Sequence, residues 1–406
     1  MHRVCVIGLG YVGLPTASLL ANKGFKVHGV DANPKVVETI ARGDIHIYEP
    51  DLDVLVKSAI NSGNLTISGE LVQADIFILA VPTPLKAKQV PDISYIEAGT
   101  RAIAPYLVPG NLVILESTSP VGTTEKIRRW VQELRPDLTA ENSIYIAYCP
   151  ERVLPGQILK ELVSNPRIVG GIDPASTETA AAFYKEFVSG EIFRTDARTA
   201  ELAKLAENAF RDVNIAFANE LSLICDRLHI DVWELIELAN HHPRVNILEP
   251  GAGVGGHCVA VDPWFIVDAA PVEAKLIRTA REVNDSKPDY VVGKVKERAA
   301  KFKKPVIACL GLAFKANVDD LRQSPAVEIV RQLTIEQVGD ILVVEPHITT
   351  LPATLTTLNN IQLTNLSTAL EQADIVVLLV AHQAFLDVER SRLQDKIIID
   401  TRGVWR

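Results

Sequence analysis

The sequence predicts an α/β protein with two doubly wound Rossmann-like domains joined by a long central helix. Short apolar runs typical of buried strands alternate with helical stretches in the first and the last part of the chain. Between them, about thirty residues from Thr199 onward keep a helical period. With 406 residues, the chain has room for two or three domains. We therefore predict a first domain over residues 1–195, a helical dimerisation domain over 196–300 and a last domain over 301–406.

Composition and charge exclude several classes of function. Apolar residues make up 48% of the chain, and its net charge is −9, which does not suit a protein that coats nucleic acid or an anionic membrane. The five cysteines are scattered without a C-x-x-C pair, so we predict neither disulfides nor a metal site. No apolar run reaches the ~18 residues of a membrane span, and no signal peptide precedes the first strand. We expect a cytoplasmic protein.

The first βαβ unit carries a dinucleotide-binding pattern. A strand, Val4–Ile7, runs into a turn with Gly8, Gly10 and Gly13, and the next strand, Lys26–Val30, ends at Asp31. Glycines at these positions allow a tight turn, close approach to a pyrophosphate and close packing of the helix on the strand. An acid at the end of the second strand binds ribose hydroxyls and repels a 2′-phosphate. The pattern predicts NAD binding.

Three more strands of this domain end in polar loops. Ile76–Val81 leads to Thr83, and Leu112–Glu116 leads to Thr118. Ligands bind at the carboxyl ends of such strands, so both threonines are candidate cofactor contacts, although the same residues also suit turns and helix N-caps. A third strand ends at Glu151 and Arg152, whose side chains either form a surface ion pair or line the same cleft.

The long helix after Thr199 carries a polar face as well as an apolar one. Lys204, Asn208 and Arg211 share a face at helical spacing, and no acid among them pairs with the two cations. A solvated surface is the simpler interpretation of this face, and a binding site is the other. The predicted apolar stripe consists of Leu202, Leu205, Ala209, Val213 and Ala216.

A glycine-rich loop, residues 251–256, precedes Cys258 and Asp262. Glycines let the backbone approach a ligand closely, and a cysteine beside them is either a nucleophile or a small buried core residue. The adjacent residues His241 and His242 do not complete a metal-binding pattern. In the last domain the predicted strands are Val306–Leu310, Ile341–Glu345, Ile375–Val380 and Ile397–Asp400. Three cations near their ends are candidate phosphate ligands: Lys315, Arg322 and Arg402.

These motifs, in this order, resemble the UDP-sugar 6-dehydrogenases, the family of UDP-glucose dehydrogenase. The resemblance covers the whole chain, and its details around Tyr148–Gly156, Arg211–Ser222 and His242–Asn246 are similar to the branch that oxidises UDP-N-acetyl-D-mannosamine. The motifs that carry it are Gly8–Gly13, Ser117–Gly122, Pro150–Glu151, Lys204–Asn208, Gly255–Cys258 and Gly311–Lys315. UDP-N-acetylglucosamine and UDP-glucose dehydrogenases are the alternatives.

The resemblance implies a role for each matching residue. The catalytic set is Cys258 as nucleophile, Lys204 as acid/base and oxyanion partner, Asn208 and Asp262 as assistants, and Glu151 in the activation of water. The NAD contacts are Gly8, Gly10, Val12, Gly13, Asp31, Thr83, Thr118 and Arg322. The UDP-sugar contacts are Arg152, Val153, Lys204, Asn208, Arg211, His242, Arg244, Gly255, Lys315 and Arg402. The family also forms homodimers through the central helix.

Two other classes of function compete with this interpretation. A two-electron hydroxyacid dehydrogenase shares the first domain but needs neither Cys258 nor the last domain. A non-catalytic NAD-responsive binding protein would leave Lys204, Asn208 and Cys258 without a purpose.

Overall fold

Residues 2–47, 49–138, 144–153 and 156–406 are described by a computed structural model of the chain. Two compact units result, one formed by Met1–Glu207 with Trp264–Pro271 and the other by Asn208–Pro263 with Val272–Arg406. Each unit contains one sheet with helices around it, so the α/β prediction with two doubly wound sheets is confirmed. The division into three domains stays a prediction.

The first unit is built on an eight-stranded sheet with the order β3-β2-β1-β4-β5-β6-β7-β8. Neighbouring strands are parallel except β6 and β7, which are antiparallel. The strands are β1 (Arg3–Ile7), β2 (Lys26–Val30), β3 (Leu65–Ser68), β4 (Ile76–Leu79), β5 (Leu112–Leu115), β6 (Tyr145–Tyr148), β7 (Arg167–Gly171) and β8 (Ile192–Asp196). The helices are α1 (Gly13–Asn22), α2 (Pro34–Ala41), α3 (Leu52–Asn61), α4 (Ser94–Ile103), α5 (Thr123–Leu134), α6 (Ile158–Ser164) and α7 (Pro174–Lys185).

Both faces of this sheet are buried, as expected for parallel strands. Within β1, Val4 and Val6 pack into one hydrophobic core, whereas Cys5 and Ile7 pack into the other. Side chains alternate between the two faces of a strand, so an unbroken apolar run fills both cores. The prediction missed β3, β7 and β8, of which β8 is mostly exposed or half-buried.

Four helices connect the two sheets along the chain. They are α8 (Ala197–Leu228), α9 (Val232–Asn240), α10 (Asp262–Ala269) and α11 (Lys275–Ala299). The 32-residue α8 is the predicted long helix. Leu205, Ala209 and Ala216 of its predicted apolar stripe are buried, but Leu202 is 45% exposed, so that part of the stripe is wrong.

The second unit contains a parallel five-stranded sheet with the order β11-β10-β9-β12-β13. Its strands are β9 (Val306–Leu310), β10 (Asp340–Val344), β11 (Ile361–Leu363), β12 (Ile375–Leu378) and β13 (Ile397–Asp400). The remaining helices are α12 (Pro325–Ile335), α13 (Ala353–Thr356), α14 (Leu366–Gln372) and α15 (Gln383–Leu386). Ser324 caps α12 by accepting the N–H of Ala326, and Pro325 follows it, which is a favourable start for a helix.

Candidate active site

The glycine turn after β1 fits the pyrophosphate of a dinucleotide. A Cβ atom on Gly8 would lie 2.5 Å from the carbonyl oxygen of Ala80, and one on Gly13 would lie 1.8 Å from that of Gly8. These two glycines are therefore required by contacts within the protein. At Gly10, by contrast, a Cβ would meet no described atom within 4 Å. The space beside Gly10 is thus open to a ligand, as the role of the middle glycine demands.

Asp31 follows β2 at the edge of this turn. Its Oδ2 accepts the N–H of Leu9 at 2.9 Å, and its Oδ1 accepts the N–H of Asn33 at 2.8 Å. The carboxylate is only half-buried, and each oxygen keeps a lone pair for a ribose hydroxyl. Val12, also half-buried, directly precedes α1. The residues of the turn fit NAD.

Thr83 and Thr118 follow β4 and β5, respectively. Thr83 is buried and Thr118 is half-buried. The N-caps of the next helices, α4 and α5, are Ile93 and Gly122, so neither threonine is an N-cap. The N-cap interpretation is therefore wrong, and the role of both residues as cofactor contacts stays a prediction.

Glu201 in α8 was missed by the sequence analysis. It is fully buried, and its carboxylate accepts the N–H of Gly122 at 2.5 Å and that of Thr124 at 2.8 Å. A carboxylate at these positions stabilises the positive end of α5 and fixes the loop that contains Thr118. Lys204, one turn further along α8, is also buried. One segment of α8 thus carries both Lys204 and Glu201, which binds the start of α5 just after Thr118.

Glu151 and Arg152 do not pair with each other through their side chains, so the surface ion pair is wrong, and their lining of one cleft stays a prediction. Glu151 is buried, and its Oε2 accepts a hydrogen bond from Nη1 of Arg167 at 2.9 Å. Its Oε1 accepts the N–H of Arg152 at 2.6 Å. The Arg152 guanidinium pairs with Glu207, with Nη2 at 2.5 Å from Oε1. Leu154 and Pro155 of this motif lie outside the described residues.

A third buried carboxyl group, Glu116, lies directly after β5. Tyr184 donates its hydroxyl hydrogen to Oε1 of Glu116 at 2.7 Å. Burial raises the pKa of Glu116 to about 7, although the cation of Arg167 opposes the shift. This buried carboxyl group lies two residues before Thr118. In the sequence, Glu116 resembles the exposed polar residue at the end of a strand, and no local pattern indicates that it is buried.

In the second unit, the glycine loop ends at the exposed Cys258. A Cβ on Gly255 would lie 2.4 Å from the carbonyl oxygen of Gln323, and one on Gly256 would lie 2.9 Å from the Phe314 ring. The loop needs these two glycines because it packs tightly against other atoms of the protein. The close approach of its backbone to a ligand stays a prediction. The carbonyl of Cys258 accepts the N–H of Asp262 at 2.8 Å, which turns the chain into α10.

Asn208 and Asp262 meet in this unit. Nδ2 of Asn208 donates to Oδ2 of Asp262 at 2.5 Å, and Asp262 is buried. Through this hydrogen bond each side chain helps to fix the orientation of the other. Asp262 ends the turn that begins at Cys258.

The remaining predicted contacts are divided between the two units. Val153, in the first unit, is half-buried. Arg322, in the second, donates from Nε to Oδ1 and from Nη2 to Oδ2 of Asp320, which forms a two-point ion pair. Arg402 donates to the carbonyl of Pro250 at 3.3 Å, at the start of the glycine loop. Four further predicted contacts in the second unit are exposed: Arg211, His242, Arg244 and Lys315.

Three family models together match most of the chain. They describe the NAD binding domain (residues 2–188), the central domain (198–286) and the UDP binding domain (308–406) of the UDP-glucose/GDP-mannose dehydrogenase family. Among the described residues, no helix is long and apolar enough to cross a membrane.

Curated relatives and solved structures agree with these matches. A Ralstonia nicotianae protein named NDP-N-acetyl-D-galactosaminuronic acid dehydrogenase is 59% identical over 100% of this chain and 96% of the relative. A Campylobacter jejuni UDP-N-acetyl-D-mannosamine dehydrogenase is 56% identical over 97% of this chain and 98% of the relative. The structure of UDP-D-ManNAc dehydrogenase from Pyrococcus horikoshii superimposes with a TM-score of 0.89 at 40% identity, covering 100% of this chain and 96% of that one.

Proposed function

Because the chain belongs to the UDP-glucose/GDP-mannose dehydrogenase family, we propose that it oxidises UDP-N-acetyl-D-mannosamine to the corresponding uronic acid through a thioester on Cys258. The predicted family and the predicted cofactor NAD are both confirmed, and the chain is an NAD-dependent UDP-sugar dehydrogenase. The identity of the sugar and the roles of the individual residues form the proposal.

The exposure of Cys258 is the observation that carries the thioester chemistry. All five cysteines lie within the described residues, and Cys258 is the exposed one. Burial raises the pKa of Cys5, Cys149 and Cys309 to about 12, so those thiols stay protonated and unreactive. An accessible thiol after a tightly packed loop is suited to attack a substrate carbonyl.

The chemistry proceeds in two oxidations. NAD, when bound, accepts one hydride from C6 in each of them. After the first, the thiolate of Cys258 attacks the C6 aldehyde and forms a thiohemiacetal, whose oxidation leaves a thioester. Water then cleaves the thioester, which releases the sugar acid and restores the thiol.

Charged and amide side chains support these steps. The Lys204 ammonium stabilises negative charge on the C6 oxygen, and Asn208, held by Asp262, donates an amide hydrogen. Glu151 orients the attacking water, because a carboxylate that accepts hydrogen bonds from Arg167 and the N–H of Arg152 keeps lone pairs for it.

A galacto-configured substrate is the second candidate. Support for the mannosamine substrate comes from the details of Tyr148–Gly156 and His242–Asn246 and from relatives bearing that name. Relatives at 58–59% identity, however, are named for N-acetyl-D-galactosaminuronic acid. UDP-N-acetyl-D-galactosamine is therefore the alternative that the assay has to include.

We expect purified protein to reduce NAD fastest with UDP-N-acetyl-D-mannosamine. The assay compares kcat/KM for this sugar with that for UDP-N-acetylgalactosamine, UDP-N-acetylglucosamine and UDP-glucose, and follows NADH absorbance. Equal or higher kcat/KM with any of the other three would contradict the proposed substrate. Repeating the assay with NADP tests Asp31, whose carboxylate should disfavour a 2′-phosphate by about tenfold or more.

An apolar stripe on α8 supports a homodimer. Phe210, Phe217, Ile224 and Leu228 follow one another at spacings of seven, seven and four residues, and 45–72% of each is exposed. Residues at this spacing lie on one side of a helix. Exposed aromatic residues in a row are typical of a subunit interface, and a second copy of α8 presents the same stripe.

The double variant Phe210→Asp/Phe217→Asp should be monomeric, because two carboxylates would have to be buried in the interface. Light scattering after gel filtration measures the mass of each variant. Val54→Asp, at an exposed position in α3, is the matched control and should leave the mass unchanged. A monomeric wild-type protein, or a double variant that stays dimeric, would rule out this interface.

A further inference from the structure

The glycine turn of the first unit is held by an acid at the end of the neighbouring strand. The N–H of Gly8 donates to the carbonyl of Val30 at 2.8 Å. The next N–H, that of Leu9, donates to Oδ2 of Asp31 at 2.9 Å. The half-buried Asp31 thus anchors the turn and still faces outward, where a ribose can reach it.

The second unit repeats this arrangement after β9. The N–H of Gly311 donates to the carbonyl of Val344 at 2.8 Å. The N–H groups of Leu312 and Ala313 donate to Oε2 of Glu345 at 2.7 and 3.0 Å. Glu345 thus occupies the position in this unit that Asp31 occupies in the first.

Glu345 differs from Asp31 because a histidine covers it. His382, which follows β12, is fully buried, and its Nε2 lies 3.0 Å from Oε2 of Glu345. Glu345 itself is 4% exposed. Glu345 stands where a dinucleotide-binding domain has its ribose-binding acid, but its carboxylate binds groups of the protein instead.

The tautomer of His382 follows from its second contact. The N–H of Asn317 donates to Nδ1 of His382 at 3.0 Å, so Nδ1 carries a lone pair. Nε2 therefore carries the hydrogen and donates it to Glu345. Burial acts to raise the pKa of Glu345, but the hydrogen bonds from His382 and from the N–H of Leu312 outweigh it, and the pKa lies below its ordinary value. A carboxylate thus accepts these bonds.

The Glu345–His382 pair holds both ends of one short loop. Glu345 binds the loop at Leu312 and Ala313, and His382 binds it at Asn317, whose φ of +60° is strained for a residue with a side chain. Between these anchors lies the exposed Lys315. A loop fixed at both ends has little conformational entropy left to lose when its lysine binds an anion.

We propose that His382 and Glu345 are positioning residues that hold Lys315 in place to bind the diphosphate of the nucleotide sugar. This inference rests on the proposed function, because it takes a UDP-sugar as the ligand. His382 could also be considered as a metal ligand, since Glu345, His347 and His382 offer ligand atoms within 4.8 Å of one another. Both ring nitrogens of His382 are engaged by protein groups, however, which favours the positioning role.

The test compares three variants by calorimetric titration with UDP. His382→Gln keeps an N–H for Glu345 but removes the acceptor for Asn317, and we expect the Kd for UDP to rise about three- to tenfold. The Kd for NAD and kcat should stay close to those of the wild type, while KM for the UDP-sugar rises. His382→Asn, which keeps an acceptor near Nδ1 but loses the donor to Glu345, should also weaken UDP binding. His347→Asn changes the exposed neighbouring histidine and should have no effect.

A double-mutant cycle distinguishes positioning of Lys315 from a general structural role. In a Lys315→Met background, His382→Gln should cost almost no further UDP affinity, because the lysine that it positions is absent. Amide hydrogen exchange at Asn317 should accelerate in His382→Gln. The inference is overturned if UDP affinity is unchanged in both His382 variants, or if the loss persists undiminished without Lys315. A wild-type protein that binds no UDP would instead contradict the proposed function, and the exchange rate of Asn317 would still decide whether His382 anchors the loop.

Discussion

Replacing Arg281 with methionine should lower the free energy of unfolding of the second unit by about 3–5 kcal/mol. Arg281 in α11 is 1% exposed, and its Nη1 donates at 2.6 Å to Oδ1 of Asp212, which is fully buried in α8. In the variant, the buried Asp212 carboxylate loses the guanidinium that compensates its negative charge. Burial already raises the pKa of Asp212, with Arg281 as the main opposing influence.

The loss of Arg281 should also reach the glycine loop. Asn284 donates to Oδ1 of Asp212 at 2.8 Å and accepts from Asn219 at 2.8 Å. Oδ1 of Asn219 in turn accepts the N–H of Gly251 at 2.9 Å, where the loop begins. Removing one member of such a buried network weakens the hydrogen bonds that depend on it. We therefore expect lower activity at temperatures at which the variant is still folded.

Denaturant unfolding of three further variants isolates the ion pair. Asp212→Asn should cost less than Arg281→Met, because Arg281 retains its ion pair with Asp285. The double variant Asp212→Asn/Arg281→Met should recover part of the loss, since no uncompensated buried charge remains. Arg331→Met breaks a half-exposed pair with Glu328 and should cost less than about 1 kcal/mol. If Arg281→Met were no more costly than Arg331→Met, the buried pair would not stabilise the unit.

Strands were predictable where an unbroken apolar run ends at a glycine, a proline or a charge. The bounds of β2, β9 and β13 agree with the prediction to the residue. The strand before Glu151 was predicted three residues too long. Pairing stops at Tyr148, because Cys149 is followed by Pro150, which has no N–H to donate to a ladder. An apolar pattern can therefore continue past the last residue that is hydrogen-bonded to a neighbouring strand.

Most of the buried polar contacts could not be read from the sequence. Arg167 lies in a strand that the prediction missed, and its pairing with Glu151 requires β7 to run antiparallel to β6. Glu201 looks like an ordinary surface residue of a helix until α5 is placed at its side chain. Spacing along the chain predicts which residues share one helix face or one strand end. These contacts, however, join residues on different elements, 16 and 77 positions apart. For the same reason, the glycine turn was predictable from a local motif and the anchoring of the Lys315 loop by His382 was not.

Replacing Cys258 with alanine should abolish formation of the sugar acid while sparing the fold. If the thiol carries the acyl group, wild-type protein releases two NADH for each acid formed, and without the thiol no thioester forms. Acid production should fall by more than about 1000-fold, as is typical when a covalent nucleophile is removed. The first oxidation can persist weakly, because removing hydride from C6 requires the cofactor, the pocket and a base but not the thiol. Because Cys258 is exposed, its loss opens no cavity, and the free energy of unfolding should stay within about 0.5 kcal/mol of the wild type.

Two further variants separate a nucleophile from a residue that is merely close to the substrate. Cys258→Ser should be very slow and should accumulate a covalent adduct at residue 258, because its alkoxide forms less readily and an oxygen ester hydrolyses more slowly than a thioester. Cys309→Ala changes a fully buried thiol in β9 and should keep the ratio of two NADH per acid. Measuring NADH per product and the intact mass during turnover covers all three variants. If Cys258→Ala made acid at a near-normal rate, the exposed thiol would not be the nucleophile, and the second oxidation would have to proceed through a hydrated aldehyde instead. If wild-type protein released one NADH per product, the product would be the aldehyde, and the thioester chemistry would be ruled out.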